Sequence, residues 1–184
     1  MLEAGEGSVL AIDAALEAAG YRVGPLRLLD EIGLDVDLAV DRALRDMHPM
    51  STRFDPPSLQ ERLAGEGRLG RASDRGFYRY GHDVTTPDVE VPPGVALSAE
   101  AIVERLELAT VNEAYRVVED GLALPPAIDA AMRAAGCPRG PFEVVDALGL
   151  RAIIDRLRAI EAETGERSGD QYRVATLLWQ MATV

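Results

Sequence analysis

Four groups of residues in this chain have types and spacings that could do chemistry. The first, Gly65-Glu66-Gly67-Arg68-Leu69-Gly70, reads G-x-G-x-x-G. Such a run grips a pyrophosphate when it follows a strand, opens a helix and is trailed about 20 residues later by an acidic side chain. Here it follows a helical pattern and leads into the extended aromatic stretch Gly76-Phe77-Tyr78-Arg79-Tyr80, so a turn is expected. The second group is Arg68, Arg71, Arg75 and Arg79, the one basic feature of an acidic chain. Guanidinium groups at that density suit phosphate contacts, or pairing with acidic neighbours around a structured turn. The third is Gly24-Pro25, with Leu26 and Leu29 following. A helix opened by proline presents N–H groups at its positive end, where an anion or a carbonyl oxygen can bind. A helix–helix corner that needs glycine accounts for the same residues. The fourth is the histidines, His48 and His82, neither with a carboxylate at the spacing of a catalytic dyad. No catalytic residue is expected within the chain, and no metal-ligand spacing is present.

The elements that must position these residues come in two copies. Residues 12–35 return 116 positions later as 128–151, with 12 of 24 aligned positions identical. The identities include Asp13/Asp129, Gly24/Gly140, Pro25/Pro141, Asp30/Asp146 and Gly33/Gly149. A repeat of this kind sets the architecture. Copy one is expected at 1–80, a linker holding Pro87, Pro92, Pro93 and Gly94 at 81–97, and copy two at 98–184. A long helix precedes the second copy and almost nothing precedes the first, and copy one continues through Gly67-Arg68-Leu69-Gly70, past the position equivalent to the end at Val184, so truncation at both ends is expected.

Within each copy the pattern is helical. Ser8 can cap a helix over 9–19 that Gly20 ends; Pro25 opens a second that Gly33 ends; Val36, Val40, Ala43, Leu44 and Met47 mark a third over 35–47. Asp55-Pro56-Pro57 reads as a cap with two prolines opening a helix at 56–65. Ser98 caps the longest helix, about 99–120, whose apolar residues spread widely enough to suit burial between neighbours. Helices at 126–135, 141–148, 150–163 and 172–183 complete copy two. The expected fold is all-α.

Composition narrows the partners. The net charge is −12 and all 19 basic residues are arginine, which argues against nucleic acid or an anionic membrane surface. Cys137 is the single cysteine, so no internal disulfide can form, as suits a reducing cytoplasm. No apolar run approaches the ~20 residues that span a bilayer.

Together these residues resemble the C-terminal domain of 3-hydroxyacyl-CoA dehydrogenases. That family carries G-x-P-x-G-P-[FL]-x-L-x-D-x-x-G-L-D. The run from Gly20 through Gly24-Pro25 and Asp30 to Gly33-Leu34-Asp35 is similar to it, and Gly136-Cys137-Pro138-Arg139-Gly140-Pro141-Phe142 is closer in its proline. Arg53-Phe54-Asp55-Pro56-Pro57-Ser58-Leu59 and Gly67-Arg68-Leu69-Gly70-Arg71-Ala72-Ser73-Asp74-Arg75-Gly76-Phe77-Tyr78-Arg79-Tyr80 match the following motifs, except that Ala72 stands where the family has Lys. Val111-Asn112-Glu113-Ala114 also matches. Two tandem copies resemble bacterial fatty-acid oxidation complexes and long single-function dehydrogenases.

The resemblance implies part of an enzyme oxidising 3-hydroxyacyl-CoA in fatty-acid β-oxidation. NAD would be bound by a Rossmann domain that, with its His–Glu pair, lies upstream of this chain, and no cofactor is expected on the chain alone. It implies substrate contact near Gly24, Pro25, Leu26 and Leu29, and CoA or NAD phosphate contacts at Arg68, Arg71 and Arg75. Expected partners are the acyl-CoA, the missing Rossmann domain, and possible thiolase or self-association. In the alternative reading, the chain is a free-standing non-catalytic helical module that binds acyl-CoA or a separate partner polypeptide.

Overall fold

The structure, a computed structural model, describes residues 1–81 and 85–183. They divide into two units, Met1–Ile102 and Val103–Val184. The first holds α1 (Val9–Ala18), α2 (Pro25–Ile32), α3 (Leu34–Met47) and α4 (Ser58–Gly65). An antiparallel ribbon of β1 (Tyr78–Tyr80) and β2 (Thr85–Pro87) follows, with Tyr78 opposite Pro87 and Tyr80 opposite Thr85. The boundary falls within α5 (Ala99–Glu119), and α6 (Pro125–Ala135), α7 (Pro141–Leu148), α8 (Leu150–Thr164) and α9 (Thr176–Ala182) make up the rest of the second unit. The ribbon is the only sheet among the described residues, so the expectation of a helical fold holds.

The repeat is visible in the elements themselves. α2 and α7 begin and end at corresponding positions, and α3 and α8 begin at corresponding positions. Proline at the first helical position starts α2 and α7, because its missing N–H has no partner there in any helix. Gly33 and Gly149 stop them at φ 102° and 82°, a region that other residues adopt at a cost. The core of the first unit is built from Val9, Ile12, Leu16, Leu34, Leu38, Leu63 and the aromatic pair Phe77 and Tyr78, all buried. That of the second gathers Leu108, Val111 and Tyr115 of α5 with Val144, Ile153, Ile154, Leu157 and Leu178. Burying each large aliphatic side chain contributes about 1.5–3 kcal/mol.

Three local expectations are corrected. The helix expected from residue 56 begins at Ser58, and its cap is not Asp55 but Glu3. The Glu3 carboxylate accepts from the Leu59 N–H at 2.7 Å and from the Ser58 hydroxyl, while Asp55 pairs with Arg45. That carboxylate comes from 56 residues away, so no local pattern announces it. On α3 the buried residues are Leu34 and Leu38, whereas Val36 and Val40 are each 52% exposed. Two apolar stripes compete on that helix, and Leu34 is drawn inward where its N–H meets the Leu69 carbonyl at 3.0 Å. The last helix starts at Thr176 rather than 172, because Gln171, Arg173 and Ala175 are tied to Asn112 instead of to one another.

Asn112 is fully buried on α5. Its amide donates to the carbonyls of Gln171 (2.9 Å) and Arg173 (2.8 Å), and its oxygen accepts from the Ala175 N–H (2.8 Å). Asn112→Ala leaves the Gln171 carbonyl and the Ala175 N–H without their partner, while the Arg173 carbonyl keeps the Arg116 guanidinium at 2.6 Å. Each orphaned group costs about 1–3 kcal/mol, so a loss of roughly 2 kcal/mol or more is expected in urea unfolding. A loss within about 0.5 kcal/mol, the range of an inconsequential surface change, would show that Asn112 does not hold this segment.

Candidate functional site

The corner between α1 and α2 is organised by a carboxylate. Asp13 projects from α1 and is 1% exposed. It accepts from the N–H of Leu26 at 2.8 Å, the N–H of Arg27 at 3.2 Å and the hydroxyl of Tyr78 at 2.7 Å. Glu17, one turn along, accepts from the Gly24 N–H at 3.1 Å. A side chain at position 24 would have no room, since a Cβ there would lie 2.2 Å from the Asp13 carboxyl carbon. The donors at the start of α2, which in sequence suit an external anion, are thus used by the chain itself. Around them Gly24 and Leu26 are buried, Pro25 and Leu29 are half-buried, and Leu28 reaches solvent.

A second carboxylate repeats the device one helix later. Asp30 on α2 is 1% exposed and accepts from the N–H groups of Phe77 and Tyr78 and from the Tyr80 hydroxyl, each at 2.9 Å. The backbone closes tightly around it. A Cβ on Gly76 would lie 2.0 Å from the Asp30 carboxylate, and one on Gly70 would lie 2.3 Å from its carbonyl oxygen. Gly70 also sits at φ 103°. The Gly67–Tyr80 motif is therefore a wrap around α2. Sequence reading did not single out Asp13 and Asp30 for function, although both are identical in the two copies.

The arginine cluster divides. Arg68 is 8% exposed and donates to the carbonyls of Gly76 (2.7 Å) and Asp88 (2.6 Å). Arg68 also pairs with the Asp88 carboxylate at 3.3 Å, as do Arg75 at 2.5 Å and Arg79 at 3.5 Å. Arg75 foremost holds the Asp88 carboxyl below the usual carboxylate range. Asp88 thus lies within the segment expected as a linker, and β2 pairs with β1 there. Arg71 is exposed and lies over the Tyr80 ring at 5.3 Å, with no carboxylate in ion-pair range among the described residues. Arg68 and Arg75 thus pair within the chain, whereas Arg71 meets no carboxylate among the described residues.

Gly65 closes α4, Gly67 turns at φ 73°, and Gly70 leads into a short 3-10 turn at Arg71–Ser73. No strand precedes and no α-helix follows, so residues 65–70 do not fit a dinucleotide pyrophosphate. His48 is half-buried, with its ring 5.3 Å from that of Phe54, and His82 lies outside the described residues. Burial, then Glu107, pushes the Cys137 thiol up, away from a reactive thiolate. Among the described residues no group of three or more His, Cys, Asp or Glu could hold a metal, and no helix is long and apolar enough to cross a membrane.

In the second unit Asp129 repeats the role of Asp13. It accepts from the Phe142 N–H at 2.9 Å, and a Cβ on Gly140 would lie 2.2 Å from its oxygen. The ion pair across the corner persists with its polarity reversed, Glu17–Arg27 in the first unit and Arg133–Glu143 in the second.

Two variants separate scaffold from surface. Arg68→Ala leaves two carbonyls without their donor and is expected to lose about 2 kcal/mol or more in urea unfolding, whereas Arg71→Ala should stay within about 0.5 kcal/mol. Equal losses would contradict the division of the cluster. A pH prediction follows from the phenols. Burial first, then Asp13, holds the Tyr78 hydroxyl well above its ordinary 10.0, and burial, then Asp30, does the same for Tyr80. Because the folded values are raised, the unfolded chain loses these protons first. The stability they contribute is therefore complete below pH ~10 and falls as pH rises towards the folded values. Phenolate absorbance from Tyr78 and Tyr80 should appear only together with loss of helical circular dichroism. All tyrosines titrating near pH 10 in an intact fold would contradict it.

Comparison with known proteins agrees with this geometry. A family model described as "3-hydroxyacyl-CoA dehydrogenase, C-terminal domain" matches residues 1–80 and 102–184. The fatty acid oxidation complex subunit alpha of Shewanella sp. (strain W3-18-1) is 33% identical over 184 residues, covering 92% of this chain and 26% of that protein. The subunit of the same name from Idiomarina loihiensis is 35% identical over 183 residues, covering 92% and 25%. The chain thus spans about a quarter of the length of these relatives. The crystal structure of 3-hydroxybutyryl-CoA dehydrogenase from Escherichia coli matches with a TM-score of 0.80 at 24% identity, covering 99% of this chain and 56% of that one. The dehydrogenase part of multifunctional enzyme 1 from C. elegans matches at 0.68 and 19%, covering 97% and 43%. At those identities the likeness is one of fold. Since the family match extends over both segments that the repeat relates, the chain belongs to the family of 3-hydroxyacyl-CoA dehydrogenase C-terminal domains.

Proposed function

We propose that this chain is the substrate-side helical part of an NAD-dependent 3-hydroxyacyl-CoA dehydrogenase of fatty-acid β-oxidation, working in the cytoplasm. In this reading NAD and the proton-transferring His–Glu pair belong to a Rossmann domain outside residues 1–184, and the chain by itself is inactive. NAD supplies the oxidising capacity there; the residues described here position and enclose. The observation that carries the reading is the α1–α2 corner. Asp13 and Glu17 lock the backbone of Gly24, Leu26 and Arg27, so that Pro25 and the half-buried Leu29 form a fixed apolar edge. A rigid apolar edge suits an acyl chain, because no side-chain or loop ordering is left to oppose binding. Arg71, the cluster arginine without a carboxylate partner among the described residues, is the candidate for a CoA phosphate.

Calorimetric titration of acetoacetyl-CoA into the chain, with CoA as control, tests this. Saturable binding is expected, weakened about tenfold by Leu29→Asp through the acyl end and by Arg71→Ala through the CoA end, each a change of about 1.4 kcal/mol. CoA alone should lose affinity in Arg71→Ala and not in Leu29→Asp. No heat at millimolar ligand would overturn the substrate-side role.

A further inference from the structure

Among the described residues four arginines carry their guanidinium groups over aromatic rings: Arg27 over Tyr78, Arg53 over Phe54, Arg71 over Tyr80 and Arg158 over Trp179. Arg27 also donates to the Glu17 carboxylate, and Arg53 to the Ser51 hydroxyl. Arg71, at the start of the short turn Arg71–Ser73, rests over the Tyr80 ring at 5.3 Å and spends no donor on a carboxylate among the described residues. Attraction to a ring face is electrostatic and uses the charge rather than the N–H groups. The Arg71 fork is therefore held in place with its donors free, the state in which a guanidinium takes a phosphate through two parallel hydrogen bonds.

The ring itself is fixed from several sides. The Tyr80 hydroxyl donates to Asp30 at 2.9 Å, the Tyr80 N–H donates to the Asp74 carbonyl at 3.0 Å, and Thr85 is its strand partner. Asp74 donates its own N–H to the Arg71 carbonyl at 3.1 Å, so one residue ties the backbones of Arg71 and Tyr80 together. It does so at φ 57°, in the left-handed region, which aspartate enters more readily than most residues. Asp30, which anchors the hydroxyl, follows Leu29 on α2. Arg71 is thereby placed relative to the helix that carries the apolar edge.

We propose that Tyr80 is the positioning residue for the phosphate contact: its ring holds the Arg71 guanidinium ready for a phosphate of CoA. The inference rests on the substrate-side reading above and adds the group through which Arg71 becomes effective. An arginine on an exposed turn loses rotamer freedom when it grips a phosphate, and that loss opposes binding. With the ring beneath it, part of that freedom is already given up in the free protein. Arg158 over Trp179, at 4.4 Å, makes the same kind of contact in the second unit and serves as an internal control.

The test is a double-mutant cycle on the full chain, followed by calorimetric titration with CoA. Beside a loss of about tenfold in Arg71→Ala, Tyr80→Leu should lose about threefold, as an exposed cation–ring contact is worth. The double variant should bind as Arg71→Ala does, because Tyr80 acts through Arg71. Tyr80→Phe keeps the ring and gives up the phenol on Asp30, so it should unfold at lower urea yet bind CoA as the wild type does. Arg158→Ala should leave CoA affinity unchanged. Without ligand, the Arg71 side-chain N–H resonance should be shifted upfield by the ring in the wild type and in Tyr80→Phe, and not in Tyr80→Leu. Losses that add in the double variant, an equal loss of CoA affinity in Tyr80→Phe and Tyr80→Leu, or an Arg71 resonance indifferent to Tyr80→Leu would each overturn the inference and leave the substrate-side reading standing. A wild-type chain that gives no heat with millimolar CoA would overturn that reading, and the inference with it.

Discussion

A carboxylate withdrawn from water must be given donors, or the fold pays several kcal/mol for it. In the first unit Asp13 and Asp30 are both withdrawn, and both are satisfied by N–H and hydroxyl groups from distant parts of the sequence. That requirement shapes the neighbourhood. Gly24, Gly70 and Gly76 must lack side chains because the carboxylates or the Asp30 backbone occupy the space. The strand Tyr78–Tyr80 must lie where it does because its amides and phenols are the donors. Hydrogen bonds to charged groups are worth about 1.5–3 kcal/mol each, so two such clusters weigh heavily against marginal folding stability.

The same constraint operates within each unit. Asp129 caps α7 as Asp13 caps α2, which places each pair of helices at a fixed corner. Beyond the corner the units diverge. The 171–175 segment is held by the Asn112 amide, whereas at the corresponding 55–59 it is the Glu3 carboxylate that accepts from the Leu59 N–H. A neutral amide that both donates and accepts and a charged acceptor thus serve corresponding segments from different elements.

Electrostatics on this acidic chain are local rather than extended. Arg68, Arg75 and Arg79 converge on Asp88, so most of the basic motif is spent internally. The run Gly65–Gly70, which has the spacing of a dinucleotide fingerprint, thus belongs to the clasp of a turn. Function, as proposed, rests on what the clasp leaves outside: an apolar edge at Pro25 and Leu29 and the exposed guanidinium of Arg71.

The sequence by itself determined the helical class, the duplication and most helix limits, because proline, glycine and apolar periodicity act over one or two turns. It also determined the family, through motifs spread along the chain. Only the tertiary structure decided which side of α3 is buried, that Glu3 caps α4, and that Asn112 delays the start of α9. It alone assigned donors to Asp13 and Asp30. Those outcomes depend on partners tens of residues away, and the two carboxylates read in sequence as ordinary polar positions on helices. Their role appears only when the chain has folded and the N–H groups of a remote strand have no better acceptor within reach.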